Sequence, residues 1–529
     1  MNTVSFAEQR PESAERCRRG HRVIALAALI ALGSLAGGCG DRGDATGATA
    51  QSRWVPKAKC ASGDRLETGL QGQVPAALRR PGAFPGFNCN LVLVGHDRGE
   101  GAGWQSSFFR DRAGHLCAYY DTAPSSAGRM HHGVVVIDAT TPTDPVSTDY
   151  LTAPAMLDPM ETLKVNHRRQ LLAAVHSVTA AKAADIAVYD LSADCRFPRL
   201  LSRGSARSPD AAAGVLRINE GAFSPDGFTY YATNLRDGLV DVIDMTNAAA
   251  PTIIAAWSMP FNQRTSGLAI SSDGRRAYLT LYGQGAAAPT SDGAPRLTNG
   301  LIIVDVSEVQ TRNPNPQPRV VSSLVWGDGS ASHQMLPVKV NGRDYLIATD
   351  EGGSGYSNSS GWKASCDQGL PPCSMARIID ISDEAQPKVV AKLQLEMNDA
   401  KNCPQVLPDL TGLSGFTYGS HYCSVDDDEN ATAMACGYFE SGIRVFDIRD
   451  PARPREIAYY VPPIVNVPSP ASFNSATTAN GRPDHCSAHM RFDKGNGTLM
   501  TTCQDNGFLV LKFTNGAWPF ANGAVAGVR

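Results

Sequence analysis

Apolar and polar positions along this chain fall into one recurring phrase. Four or five β-branched or aromatic residues precede an Asp; a short polar stretch, a Pro and a second apolar run follow. Gly442-Ile443-Arg444-Val445-Phe446-Asp447, leading to Pro454, is one copy. The others are 134–138 before Pro145, 186–190 before Pro198, 240–244 before Pro251, 301–305 before Pro318 and 376–380 before Pro387. A seventh, 508–513, carries Lys512 where the Asp belongs. The apolar run reads as a buried strand. The Asp and the polar residues after it close a turn through side-chain hydrogen bonds to backbone. The Pro, which cannot donate to a ladder, opens the next strand.

A second pattern precedes several copies. Glu220 to Thr233 reads as a strand, a Pro225-Asp226-Gly227 turn and a strand, and Gly267 to Thr280 repeats it around Asp273-Gly274. Asp-Gly and Asn-Gly pairs are strong hairpin signals. Each unit is therefore four strands, A to D, and seven such units predict an all-β, seven-bladed β-propeller of four-stranded antiparallel blades. The last copy ends on its third strand. Leu91-Val92-Leu93-Val94 is the expected fourth strand, supplied from the N-terminal side to close the ring. Closure leaves no raw sheet edge. It also explains a chain of 529 residues, too long for one conventional core, because each blade packs only on its neighbours.

These repeats resemble the LVIVD-repeat proteins, a family of bacterial seven-bladed propellers, over roughly 90–513. The resemblance implies the fold and brings no assigned activity, although Ser420-His421-Tyr422-Cys423 and 502–508 look like subfamily signatures.

Upstream of the repeats, Arg16, Arg18, Arg19 and Arg22 stand before an apolar run from Val23 to Leu35, and Ala36-Gly37-Gly38 lead to Cys39. A basic region, a short apolar run and small residues make a secretory signal. The residues before Cys39 resemble a bacterial lipobox, which implies a signal peptide over 1–38 and a lipidated Cys39; ordinary signal cleavage is the alternative. Residues 40–57 read as a flexible tether, 58–89 as an N-terminal segment, 90–515 as the propeller and 516–529 as a tail. Such a protein is membrane-anchored and extracytoplasmic, in the periplasm or at the cell surface.

Charge changes the picture only by exclusion. Without residues 1–38 the chain carries 43 basic and 48 acidic side chains, no footprint for nucleic acid. Cysteine adds more. Apart from Cys17 and Cys39, eleven remain, a number that in an exported chain points to disulfides. The expected pairs are Cys60 with Cys89, Cys366 with Cys373, Cys423 with Cys436 and Cys486 with Cys503. Cys117, Cys195 and Cys403 are left over, and an odd count requires a free thiol.

The long insertions, 282–299, 351–374, 397–419 and 462–483, are all B–C or D–A connections and so share one face. Loops on a rigid scaffold are where sites usually form. The residues opening each strand A lie on that face beside the central channel: Gln105, Glu161, Glu220, Gly267, His333, His421 and His489. Three imidazoles with two carboxylates across the channel could hold a transition metal (copper, zinc or iron) or form a catalytic histidine pair. His131, His132 and His176 are expected in B–C loops of the same face. The plain alternative is that these polar residues line a water-filled channel. Asp426-Asp427-Asp428-Glu429 lacks EF-hand spacing and reads as a solvated turn. No GxSxG, phosphate loop or HExxH is present. The leading expectation is a propeller that binds a protein, glycan or small ligand on its loop-rich face. The runner-up is a metal-dependent enzyme, an oxidase or hydrolase, built on the histidine cluster, and a structural envelope component is the third.

Overall fold

The computed structural model describes residues 54–520 except 81–82, 123–129, 177–183, 204, 207–217, 236, 261–262, 289–297, 357, 411–415 and 466–481. The expected signal peptide, Cys39 and most of the tether lie outside the described residues. So do most of loop 462–483 and residues 521–529 of the tail.

Seven antiparallel sheets follow one another in a ring, five with their strands paired in chain order and two, blades six and seven, with an added strand from the N-terminal side. Their inner strands, A, are Ser106–Arg110, Lys164–Asn166, Ile218–Phe223, Leu268–Ile270, Ser330–Val340, Cys423–Val425 and Arg491–Asp493. The repeated Asp does the same job in six blades. Its Oδ1 accepts the backbone N–H two residues on, at 2.8–3.1 Å, from Asp138, Asp190, Asp244, Asp305, Asp380 and Asp447 alike. In five of these blades the C–D ladder also shifts register just before the Asp, between Val136/Ile137, Val242/Ile243, Ile303/Val304, Ile378/Ile379 and Val445/Phe446. Such a bulge adds twist where the chain turns outward.

The ring closes as the sequence predicts. Leu91–Asp97 pairs antiparallel with Gly507–Phe513 and completes blade seven. The N-terminal segment 58–89 is partly woven into the propeller. Phe87–Cys89 adds a fifth strand to blade six, on Arg455–Val461, and Glu67 forms an ion pair with the buried Arg444. The apolar core lies between blades, as with Ile347, Ile378, Met434 and Phe446 between blades five and six. Among the described residues no helix is long and apolar enough to cross a membrane.

Five disulfides are present: Cys60–Cys89, Cys117–Cys195, Cys366–Cys403, Cys423–Cys436 and Cys486–Cys503. The expected Cys366–Cys373 pair does not form. Cys366 lies on the helix Ser359–Asp367, which packs on the helix Cys403–Leu410 of the next insertion and bonds Cys403 there. Cys373 points instead into the core between blades five and six and is the free thiol.

Candidate functional site

Strand A brings one residue from each blade to the axis, and four of the expected ones meet. His333 and His421 stack face to face, ring centroids 3.9 Å apart. Gln334 locks their two strands together: its amide donates to the Cys423 carbonyl at 2.9 Å and accepts the Cys423 N–H at 2.7 Å. Glu161 Oε1 lies 3.1 Å from His333 Nε2 and 3.4 Å from His421 Nε2. Glu220 stands beside them, held by Lys164 Nζ at 3.0 Å. His333 and His421 are fully buried, and Glu161 and Glu220 nearly so.

His421 Nδ1 lies 3.1 Å from the Ser487 carbonyl oxygen, which only accepts, so Nδ1 carries a hydrogen. His333 Nδ1 faces Ser266 Oγ at 3.2 Å and Glu351 Oε1 at 3.6 Å. Neither Nε2 has a well-formed hydrogen bond, and neither has Glu220 Oε2. Asn219 ties the group together, donating to Glu161 Oε2 at 3.0 Å and to Ser266 Oγ at 2.7 Å.

Glu351 was not among the expected residues. It ends strand B of blade five, Arg343–Gly352, with Oε1 3.4 Å from His421 Nε2. Tyr282, at the start of another insertion, donates to Glu351 Oε2 at 2.9 Å and touches the Tyr356 hydroxyl at 3.2 Å. These tyrosines connect the cluster to a loop-face pocket of about 350 Å³ that Arg264, Asn358 and Ser360 also line. The signal that could have found Glu351 and Tyr282 is their position: each is a polar residue ending an apolar strand B at the mouth of a long insertion.

The expected third histidine is not in the cluster. His489 packs on the Tyr422 ring, centroids 4.0 Å apart, and lines the central cavity. Its basicity is well below the usual range because it is buried and faces Lys164. The donor set is therefore two histidines and a glutamate, not three histidines. Gln105 is buried beside the axis with neither amide atom hydrogen-bonded. Gly267 passes under the cluster, where a Cβ would sit 1.8 Å from the His333 carbonyl oxygen and 2.6 Å from Glu220 Oε2. His131 is engaged with Glu100 and the Tyr150 ring, His132 is exposed, and His176 is half-buried; none joins the group.

Charge is the unusual property of the site. Three largely buried carboxyl groups, Glu161, Glu220 and Glu351, gather around one ammonium, Lys164. Burial raises Glu161 to about 8; the Glu351 carboxylate adds to this, while His421 and Lys164 oppose it. Burial also raises Glu220, against Lys164 and His333. For Glu351 burial is outweighed by the two imidazoles and the Tyr282 hydroxyl, and its carboxyl is lowered. The backbone is strained in the same place. Of the ten non-glycine residues with positive φ among those described, Met160 and Ala331 flank Glu161 and His333. Phe439 and Tyr356 share the neighbourhood, Phe439 5.1 Å from the His421 ring, and Phe416 packs on Phe439 and on Trp104, which also faces His421. Strain of this kind persists where surrounding structure fixes a site.

Fold and disulfides together define the class: a seven-bladed β-propeller of an oxidising, extracytoplasmic compartment, a scaffold for binding or catalysis. No protein-family profile matches the chain, and no curated protein matches it. Solved structures similar to it include hydrazine synthase of Kuenenia stuttgartiensis, at 14% identity over 79% of this chain and 96% of that one, TM-score 0.46. The Cps50 (Swd1) β-propeller domain of Myceliophteria thermophila matches at 11% identity over 81% of this chain and 100% of that one, TM-score 0.44. Likenesses this distant say nothing about the chemistry of this site.

Proposed function

We propose that this chain is an extracytoplasmic metal-dependent enzyme whose centre is a divalent first-row transition ion held by His333, His421 and Glu161. One observation carries the reading: two buried Nε2 atoms that make no hydrogen bond converge on one Glu161 oxygen, among three carboxyl groups gathered around one ammonium. Ligands about 2.0–2.2 Å from a shared metal stand roughly 3.3 Å apart in a tetrahedral site, and the 3.1 and 3.4 Å separations fit that spacing. Imidazole ligands suit zinc, copper and iron. The two charges of the divalent ion and the one of Lys164 would neutralise the three carboxylates. Hydrogen bonds donated by His421 Nδ1 to the Ser487 carbonyl, and by His333 Nδ1 toward Ser266 and Glu351, would orient the two rings, as outer partners of metal-bound histidines commonly do. Glu351 and the Tyr282–Tyr356 pair leave one side of the centre facing the loop-face pocket. That pocket also supports the second reading, ligand binding without metal.

The finer assignments belong to the same proposal. The Asp-to-Pro repeat supports membership of the LVIVD-repeat family, and the residues before Cys39 support a lipid anchor there.

The test is metal analysis of the purified chain, produced with its disulfides formed, beside His421→Ala and Glu161→Gln. One transition ion per chain in the wild type, lost in both variants while all three stay folded, is the expected result. A wild-type chain that stays empty after incubation with zinc, copper and iron(II) would refute the metal centre.

A further inference from the structure

The central cavity has a volume of about 800 Å³ and two unlike ends. Its outer end is lined by A–B turns, on the face opposite the long insertions, and its inner end by Lys164, Glu220 and His489, beneath the histidine pair. One wall is basic from end to end. Residues two apart on an extended strand project to the same side, roughly 6–7 Å apart. His489 and Arg491 therefore both line the cavity, as do Lys164 and, on the turn beyond Asn166, Arg168.

Arg491 is the residue without an explanation. It is half-buried, its Nε is sealed from solvent with no hydrogen-bond partner, and no carboxylate pairs with it among the described residues. The neighbouring Arg110 is already paired with Asp493 at 3.2 Å. An uncompensated guanidinium costs free energy unless an anion meets it. Burial, and then the repulsion of Arg110, hold Arg491 below its usual basicity, with the Asp493 carboxylate, already paired with Arg110, opposing them only in part. Across the mouth, the Asp426-Asp427-Asp428 turn also lines the cavity, but two of its carboxylates are occupied. Asp426 accepts from Thr432, Ala433 and Trp518, and Asp427 from the Glu429 and Asn430 N–H groups. An anion in this cavity is thus directed to the Arg491 wall.

We propose that the central cavity binds a small carboxylate or oxyanion through Arg491 and Arg168, and that Lys164 at the inner end passes its charged group toward the metal centre. A guanidinium matches both anion types because it donates two parallel N–H bonds. The anion site stands on the cavity and Arg491 alone; its role as the ligand presented to the metal rests on the metal reading above. The proposal reverses the direction of approach suggested by the long loops: the anion enters from the short-turn face.

Calorimetric titration of the full chain at low ionic strength, with inorganic phosphate and separately with acetate, tests it. The proteins are wild type, Arg491→Gln, Arg491→Lys and Arg168→Gln, each with its metal content measured. At least one anion should bind the wild type, and the stronger of the two names the class. Arg491→Gln should weaken binding about tenfold, the loss of charge-assisted hydrogen bonds. Arg491→Lys should fall between, and the exposed Arg168→Gln, which cannot unfold the chain, should weaken binding by a smaller factor. Metal content should be unchanged in all four. No binding of either anion, or equal binding by wild type and both Gln variants, overturns the proposal. A chain that lacks metal yet binds anion in an Arg491-dependent way refutes the metal reading and sustains the cavity site. A metal-loaded chain whose anion affinity ignores Arg491 does the opposite.

Discussion

Replacing Asp241 by Val should make the propeller more stable, and only above acidic pH. Asp241 lies three residues before the repeat Asp of blade three, in the strand Leu239–Asp244. The same position holds Val135, Ala187 and Ile302 in blades one, two and four, and Arg377 and Arg444 in blades five and six. Both arginines are paired, Arg377 with Asp328 and Asp350, Arg444 with Glu67 and Glu456. Asp241 is 2% exposed and its Oδ2 has no partner. Burial alone raises its carboxyl from 3.8 to about 6. The folded state therefore holds this proton more tightly than the unfolded chain. The resulting penalty is absent below 3.8, grows as pH rises toward 6, and is complete above it. A rise of that size corresponds to about 3 kcal/mol. Equilibrium urea unfolding at pH 7.5 should show Asp241→Val more stable by about 2–3 kcal/mol, with most of the gap gone at pH 4. A gap of equal size at both values, or a Val variant less stable at pH 7.5, would refute the reasoning.

Two further outcomes are expected. The Cys117–Cys195 bond spans 78 residues and joins blades one and two. In the chain-entropy account, the double Ser variant, with its other four disulfides intact, should lose about 4–5 kcal/mol of stability in urea unfolding; a variant as stable as the oxidised wild type would count against that account. Tyr282→Phe removes the hydroxyl that donates to Glu351, and should lower metal affinity roughly ten- to a hundredfold in competition with a chromogenic chelator. Unaltered affinity would show that Glu351 does not carry the effect of Tyr282 to the metal.

The fold was legible because its determinants are local. The apolar run, the Asp and the Pro fix strand, turn and strand within about a dozen residues, and six Asp side chains make the same bond to the backbone two residues on. Leu91 could be matched to Phe513 because a ring ending on its third strand needs a fourth. Cys423 and Cys436 were legible for a related reason: they face each other across the A–B ladder. Cys366 was not, because its partner is chosen by the packing of helices from two different insertions. The same division runs through the site. His333, His421, Glu161 and Glu220 all open strand A, so the repeat register points to them. Glu351 and Tyr282 sit at the other end of the hairpin, at equivalent positions six residues beyond those facing the repeat Asp, outside the strand-A register that points to the others. His489 opens a strand A too, yet the Tyr422 ring occupies the space that would bring it to the other histidines.

The bland account of these residues, a water-filled channel lined with polar side chains, makes a distinct demand. It places them in contact with solvent and lets each choose its own partners. His333 and His421 instead have no exposure at all, and they share Glu161 Oε1 rather than taking separate partners. A structural network would also be expected to balance its own charge, as Arg377 and Lys392 do with Asp328 and Asp350. The axial group does not: three carboxyl groups meet one ammonium, and burial pushes one of them to about 8. Of the ten described residues with left-handed backbone, Asn90, Asn341 and Asn515 tolerate it, Gln170 and Arg312 lie elsewhere in the ring, and Met160, Ala331, Tyr356, Phe416 and Phe439 fall around this cluster. At the axis two imidazole nitrogens without hydrogen bonds, three carboxyl groups around one ammonium and left-handed backbone at bulky residues fall together, and a bound cation is the single addition that would account for the first two.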